Sequence, residues 1–212
     1  MANREKLKEF ISYRKALENG RISKSPEMFF NDSAVHEEFV MKELFANATE
    51  SSPKIDTIYM YCGSMSAFRD DMKEVVESVR WELSPGPDAT EDDKQEWNDF
   101  NPYAKMIDRM TVFFEKGGRL EVIVDEDISA IRNEQIWRDT LSRYYNETKQ
   151  LSISRLTSDC GIEHFIVSGK AYRSELSHVE KTALCCFNDP DYSSLLYSNF
   201  VFLQGSSRPV II

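Results

Sequence analysis

The segment 163–175 holds side chains that could transfer a proton or bind an anion. His164 can gain or lose its charge near neutral pH and could be a catalytic or ligand imidazole near Glu163. Arg173 and Glu175 add one positive and one negative charge nearby in the sequence. With Asn188 they define a candidate remnant pocket. A structural role is the alternative. Arg173 and Glu175 lie two residues apart, hence on one face of a strand where they can pair, and His164 can be a hydrogen-bonded residue at the start of a strand.

Other polar residues favour structural roles over catalytic ones. Asp125, Glu126 and Asp127 end a hydrophobic run, where they could bind a metal ion, but a capped turn is the simpler interpretation. The adjacent Cys185 and Cys186 point to opposite faces of a strand and cannot both reach one ion. The chain also lacks the glycine-rich motifs of nucleotide sites and the GxSxG motif of serine hydrolases. We therefore expect no metal site and no cofactor.

Composition narrows the class of protein. The chain has 212 residues, 41% of them hydrophobic, and a formal net charge of −10, which disfavours broad binding to nucleic acid. Residues 1–24 are locally basic, most simply because they form a solvated helix face. The sequence has no long uncharged segment that could cross a membrane, and its N-terminus is charged. Four cysteines in no disulfide-like spacing favour a reducing compartment, so we expect a cytoplasmic protein.

Hydrophobic periodicity predicts a single mixed sheet flanked by helices, an α/β fold. Two helices, 4–18 and 33–48, form an N-terminal helical extension within residues 1–50, and residues 51–212 form the α/β domain. Further helices are expected from Met65, from Pro102, near Trp137 and from Pro190. The predicted strands are 55–62, 120–125, 151–156, 164–167, 170–176 and 182–187.

The acidic segment 84–101 interrupts this pattern. It contains six acidic residues and two prolines, which predicts an inserted, mobile and exposed loop. Trp97 and Phe100, which lie among acidic residues, are candidate anchors for a basic protein partner, and Asp92 and Asp93 are further candidate contacts. Docking of the two aromatic rings onto the domain's own surface is the alternative.

Residues 55–203 resemble one half of a phospholipase D-like protein. The resemblance rests on a strand running into a small-residue turn, a glycine helix stop before a strand, a hairpin, and a closing strand and helix. These are MYCGSMSAF (60–68), EKGGRLEVIVD (115–125), EHFIVSGKAYRSEL (163–176) and ALCCFNDPDYSSLLYSNFVFL (183–203).

The signature of that family, H-x-K-x4-D, is degenerate in this chain. With the hairpin turns superimposed, Gly161, Glu163 and Ser168 occupy the histidine, lysine and aspartate positions. A register that makes His164 the nucleophile places Ile166 at the lysine position and Ala171 at the aspartate position. Because phosphoryl transfer needs a nucleophile, positive charge and an orienting acid, the resemblance implies a pseudoenzyme without catalytic residues.

The resemblance implies a non-catalytic protein of a prokaryote or phage. We expect it to act through protein-protein contacts, as an accessory or inhibitory subunit. Homodimerisation is implied too, with residues 182–203 as a symmetric patch. One alternative is a phosphodiesterase or nuclease with a non-standard site around His164 or residues 125–127. Another is binding or mimicry of nucleic acid, through the basic first helix or the acidic segment.

Overall fold

A computed structural model describes residues 2–87, 89–177 and 179–212; Asp88, one of the six acids of the acidic segment, lies outside them. The helices of the described residues are α1 (Ala2–Ser23), α2 (Ala34–Glu50), α3 (Asp70–Glu82), α4 (Glu91–Asp99), α5 (Pro102–Glu115), α6 (Ser142–Asn146) and α7 (Pro190–Gly205). The strands are β1 (Met28–Asn31), β2 (Thr57–Cys62), β3 (Arg119–Val124), β4 (Leu151–Leu156), β5 (Phe165–Ser168), β6 (Ala171–Ser177), β7 (Thr182–Cys186) and β8 (Ser207–Pro209).

Over the described residues the strands form one mixed sheet in the order β1-β7-β6-β5-β2-β3-β4-β8. The strands β2, β3 and β4 run parallel, and every other neighbouring pair is antiparallel. All six strands expected from the sequence lie in this sheet. The predicted fold class, a single mixed sheet flanked by helices, is therefore confirmed, with short strands β1 and β8 added at its two edges.

The two faces of the sheet carry separate hydrophobic cores. On one face, side chains of α1, α2, α3 and α5 such as Phe39, Leu44 and Phe113 pack against the sheet. On the other face, α7 contributes Phe200 and Leu203, which pack against strand residues that include Tyr61. The helices in the described part of the chain are all too short or too polar to span a bilayer.

A glycine pair joins α5 to the parallel strand β3. Gly117 has a φ of +83°, in the left-handed region that favours glycine. At Gly118 an added Cβ would lie 2.3 Å from the Phe113 ring, so only glycine allows the chain to turn this tightly against its own helix. The predicted helix stop at this point is the turn that feeds β3 into the centre of the sheet.

Residues 1–50 belong to the α/β domain. Strand β1 pairs with β7 along four residues, and α2 packs against α5 and against β5 and β6. Burial of Phe29 on β1 and Phe39 on α2 ties the segment into the main core. The expected N-terminal helical extension is present as α1 and α2, which pack on the sheet. The strand β1 between them is not indicated by the sequence, because it occupies four residues of a segment that reads as a polar connector.

The expectation that residues 84–101 form a loop is wrong over nine residues of the segment, although many of its residues are exposed. Residues Glu91–Asp99 form α4, which begins with a capping box in which the Thr90 hydroxyl accepts the Asp93 amide proton and the Asp93 carboxylate accepts the Thr90 amide proton. Phe100, just after the helix, is fully buried. The capping box and the burial of this ring offset the repulsion among the acids, and they fix the segment against the domain.

Candidate functional site

The candidate site lies where the parallel strands β2 and β3 end. Gly63 follows β2 and Asp125 follows β3, so both lie at the same edge of the sheet. The neighbouring strand β5 runs antiparallel to β2, with Phe165 opposite Tyr61, and this places His164 at that edge as well. Strand order therefore brings together an aspartate and a histidine that lie 39 residues apart in the sequence.

His164 lies between two carboxylates. Its Nε2 is 3.0 Å from Asp125 Oδ2, and its Nδ1 is 3.2 Å from Glu175 Oε2. The ring also contacts Tyr61 edge to face, with the centroids 5.0 Å apart, and the Tyr61 hydroxyl donates to the same Asp125 oxygen at 2.9 Å. The imidazole is thus fixed in position by three neighbours.

The carboxylates determine the charge of His164. Both ring nitrogens lie close to carboxylate oxygens, which accept protons but do not donate them, and this arrangement favours the doubly protonated imidazolium. Burial on its own would lower the pKa of His164, but hydrogen bonds and attraction from Glu175 and Asp125 outweigh it and raise that pKa to about 9. At neutral pH the ring is therefore a cation that contributes positive charge to the site.

The charged chain continues beyond His164. The Arg173 guanidinium lies 3.6 Å from Glu175 on its own strand and 3.6 Å from Glu37 in the first turn of α2. The Arg173 side chain is only 6% exposed, so these charges attract one another through little solvent. In space these side chains follow one another in the order Asp125, His164, Glu175, Arg173 and Glu37. Their charges alternate in sign and leave one excess negative charge. We call these five residues the ion-pair chain.

A cavity of about 310 Å³ lies beside the ion-pair chain. Its lining includes Gly63, Ser64, Arg69 and Lys181 in addition to members of the ion-pair chain. At Gly63 an added Cβ would lie 3.0 Å from Glu126 Oε1 and 3.4 Å from His164 Cε1. The glycine therefore allows the imidazole and a second carboxylate to approach the end of β2.

This arrangement is poorly suited to nucleophilic attack by His164. An attacking ring nitrogen needs a free lone pair, and here each nitrogen is directed at a carboxylate that favours a proton on it. Within the described residues no group of three histidine, cysteine or carboxylate side chains is arranged to hold a metal ion. Two of the three carboxylates at 125–127 have other partners, since Asp125 binds His164 and Asp127 accepts the Ser129 amide proton at 2.8 Å.

Three of the four residues of the predicted remnant pocket come together, and the fourth does not. His164, Arg173 and Glu175 are neighbours, and Arg173 and Glu175 pair as the structural interpretation proposed. Asn188 follows β7, which runs antiparallel to β6. It therefore lies at the opposite ends of the strands from His164. Its side chain donates to the Lys24 carbonyl at 3.0 Å.

The sequence interpretation missed Glu37 and Tyr61. Glu37 lies among polar residues of a helix, and nothing in that pattern indicates an ion pair with Arg173, 136 positions later. The pairing depends on where α2 packs. Tyr61 lies in an apolar strand, and its hydroxyl finds Asp125 only through the pairing of β2 with β3.

The predicted partner-binding residues in the acidic segment face mostly inward. The Trp97 indole donates to the Arg80 carbonyl at 2.9 Å, and the Arg80 guanidinium lies 4.5 Å from the Trp97 ring centroid. Phe100 is in the core, and Asp93 is buried and paired with Arg4 at 2.9 Å. Asp92 is exposed. The alternative in which the two aromatic rings dock onto the domain's own surface describes this segment.

Comparisons with known proteins give distant similarities of fold. No family model matches the chain, and no curated protein sequence matches it. Among solved structures it is similar to TrmBL2, an archaeal chromatin protein described as showing a novel mode of DNA binding. The identity is 10% and the TM-score 0.49, over 86% of this chain and 53% of TrmBL2, so the chain spans about half the length of that protein.

A second similar structure is Nuc from Salmonella typhimurium, a member of the phospholipase D family. The identity is 9% and the TM-score 0.42, over 88% of this chain and 97% of that one. Nuc comes from the family that the sequence resembles, and its similarity to this chain is distant. Neither similarity assigns an activity to the chain.

Proposed function

We propose that the protein is non-catalytic and acts through contacts with other protein chains, as an accessory or inhibitory subunit. The observation that carries the proposal is the position of the His164 ring between two carboxylates, Asp125 and Glu175. For His164 to attack phosphorus, the ring would have to lose a proton at a pH well below its pKa of about 9 and leave a carboxylate at 3.0 or 3.2 Å. A histidine with both nitrogens bound in this way stabilises the end of the sheet.

The charge balance of the cavity supports the same conclusion. Each cation of the ion-pair chain already has two carboxylate neighbours: His164 has Asp125 and Glu175, and Arg173 has Glu175 and Glu37. A developing phosphoryl charge would have to displace one of these carboxylates to gain from either cation. Because its cations are already paired, the ion-pair chain serves to link α2, the end of β3 and the β5–β6 hairpin.

Exposed apolar side chains support action through protein contacts. Leu195, Val201 and Phe202 of α7 and Met28 and Phe30 of β1 are each between 49% and 65% exposed. Isolated exposed apolar residues are ordinary on protein surfaces, but several on one helix and one edge strand are typical of a binding surface.

Turnover assays test the proposal. Purified protein is given bis-p-nitrophenyl phosphate or single-stranded DNA, with Mg²⁺ or Mn²⁺ and with EDTA. We expect the same background rate for the native chain, for His164→Ala and for His36→Ala. The last is a matched control, because His36 stacks on Tyr13 and pairs with Asp32, and it does not line the cavity. Turnover lost in His164→Ala and retained in His36→Ala would establish a phosphodiesterase or nuclease instead.

A further inference from the structure

A cavity of about 390 Å³ lies beside the first half of α7. It is lined by the segment that enters β2, by Tyr59 and Val167 of the paired strands β2 and β5, and by Ser193 and Tyr197 of α7. No described residue lines both this cavity and the one beside the ion-pair chain. The two cavities are therefore separate sites, and we call this one the α7 cavity.

Two tyrosine rings form part of the wall of the α7 cavity. The ring centroids of Tyr59 and Tyr197 are 4.8 Å apart, and the ring planes are inclined at 55°. Tyr197 is 44% exposed, so the pair offers ring surface to a ligand. Burial, and secondarily the neighbouring Tyr197, raises the pKa of Tyr59, so its phenol stays neutral. The face of a neutral aromatic ring attracts a cation.

The charges around the α7 cavity also favour a cation. Among the described residues that line it, Asp56 is the only charged one. Asp56 is 74% exposed, and its ion pair with Lys54 is 3.8 Å long, because the Lys54 ammonium donates to the Lys116 carbonyl. The N-terminus of α7, which could attract an anion, is capped by Asp189, whose carboxylate accepts the Tyr192 amide proton.

Ser193 adds an unused hydrogen-bonding group to the lining. Ser193 is 2% exposed, and its hydroxyl has no hydrogen-bond partner among the described residues. The other two serines of α7, Ser194 and Ser198, each donate to the carbonyl group four residues earlier. Because a buried hydroxyl without a partner destabilises the fold, a ligand that donates an N–H to Ser193 recovers a lost hydrogen bond.

We propose that the α7 cavity binds an alkylammonium ion, which is either a free amine or the side chain of a lysine. The ammonium group lies against the tyrosine pair and near the Asp56 carboxylate, and the Ser193 hydroxyl accepts one of its N–H bonds. The alkyl chain packs on Ile55 and Val167, the aliphatic residues of the lining. This inference does not depend on the proposed function.

An NMR titration at constant ionic strength tests the proposal. The signal followed is the δ1 methyl group of Ile55, assigned with Ile55→Val. The probes are n-butylammonium, the neutral 1-butanol of the same length, and Nα-acetyl-lysine methylamide. We expect saturable shifts with n-butylammonium at millimolar concentrations, and no saturable shift with 1-butanol. Shifts with both amines would support a site that admits lysine side chains, and shifts with n-butylammonium alone would support a site for a free amine.

Two variants test the groups that recognise the cation. Asp56→Asn removes the charge and Tyr197→Ala removes one ring, and each should raise the dissociation constant of n-butylammonium by about five- to tenfold. Asp92→Asn and Tyr192→Ala are the matched controls and should leave it unchanged. Asp92 is an exposed aspartate, Tyr192 is a tyrosine of the same helix, and neither lines the α7 cavity.

The proposal is overturned if neither amine gives a saturable shift, or if 1-butanol binds as tightly as n-butylammonium. Unchanged affinity in Asp56→Asn overturns it as well. This substitution keeps the shape of an exposed side chain, so it leaves the fold intact even where Tyr197→Ala lowers the melting temperature. None of these outcomes concerns turnover at His164, so the proposal and the proposed function fail separately.

Discussion

Asp125 Oδ2 accepts hydrogen bonds from two rings at once, from His164 Nε2 at 3.0 Å and from the Tyr61 hydroxyl at 2.9 Å. This shared acceptor joins the ends of β2, β3 and β5. Burial, together with the hydrogen bonds to Cys160 and Asp125, raises the pKa of Tyr61, so the phenol keeps its proton and remains a donor. On its Nε2 side, His164 is consequently held in place mainly by the negative charge of Asp125.

Asp125→Asn should lower the pKa of His164 by about one pH unit or more, because it removes one of the two negative charges that stabilise the imidazolium. The pKa is read from the NMR shift of the His164 ring proton, assigned with His164→Gln. The native midpoint should be close to 9. Asp127→Asn is the control, since Asp127 caps a turn through the Ser129 amide, and it should leave the titration unchanged. A native midpoint near 6.5 would contradict the ion-pair chain.

The imidazole of His164 also makes the stability of the protein depend on pH. The pKa of His164 is about 9 when folded and close to 6.5 when unfolded, so the folded state binds the proton more tightly. The contribution is fully present below pH 6.5 and is lost as the pH rises toward 9, up to about 3 kcal/mol of unfolding free energy. Urea unfolding at several pH values measures it. In His164→Gln that portion of the decline should disappear, and an equal decline in both chains would assign it to other groups.

The central strands and the main helices could be predicted from the sequence because their signal is local. The apolar run at 55–62 predicts β2 without reference to its neighbours. The helical spacing from Met65 likewise predicts α3, although that helix begins only at Asp70 and Met65 itself has a φ of +59°. Strands β1 and β8 are different, because they are short edge strands defined by partners distant in sequence. His164 and Asp125 could each be selected as candidates from the sequence. Their contact could not be predicted, because it depends on β5 lying beside β2.

The acidic segment shows how composition can mislead. Its charges and prolines are typical of a loop, but one threonine three residues before an aspartate is enough to begin α4. The decisive residue is Phe100, whose ring lies between Phe10 and Phe39 of α1 and α2, with centroids 5.9 Å away in each case. Those helices are distant in sequence, so nothing local to the segment reveals the contact.

Trp97→Ala should destabilise the fold by about 2 kcal/mol, because it removes the hydrogen bond to the Arg80 carbonyl and the ring beneath the Arg80 guanidinium. Phe100→Ala should cost more, about 3 to 5 kcal/mol, since it empties a fully buried site. Chemical unfolding measures both. Asp92→Ala is the control and should change stability by less than about 0.5 kcal/mol, because Asp92 is exposed. A Trp97 variant as stable as Asp92→Ala would restore this tryptophan as a surface anchor.

Replacement of Glu38 should stabilise the protein. The Glu38 side chain is fully buried in α2, and neither carboxyl oxygen has a hydrogen-bond partner among the described residues. Burial, and secondarily the neighbouring Glu37, raises the pKa of Glu38 well above its ordinary value. The folded state therefore holds a proton that the unfolded chain releases above about pH 4.3, and stability is lost as the pH rises above that value.

Glu38→Met removes both this proton linkage and the unsatisfied carboxyl group, and it approximately keeps the volume of the side chain. We expect it to raise the free energy of unfolding by about 1 to 3 kcal/mol at pH 8, and by less at pH 4.5. Urea unfolding at the two pH values measures the difference. Glu37→Met, one residue earlier, is the matched control and should destabilise, because it leaves the buried Arg173 guanidinium without its α2 partner. An equal gain at both pH values would show that Glu38 is ionised to the same extent in the folded and unfolded states.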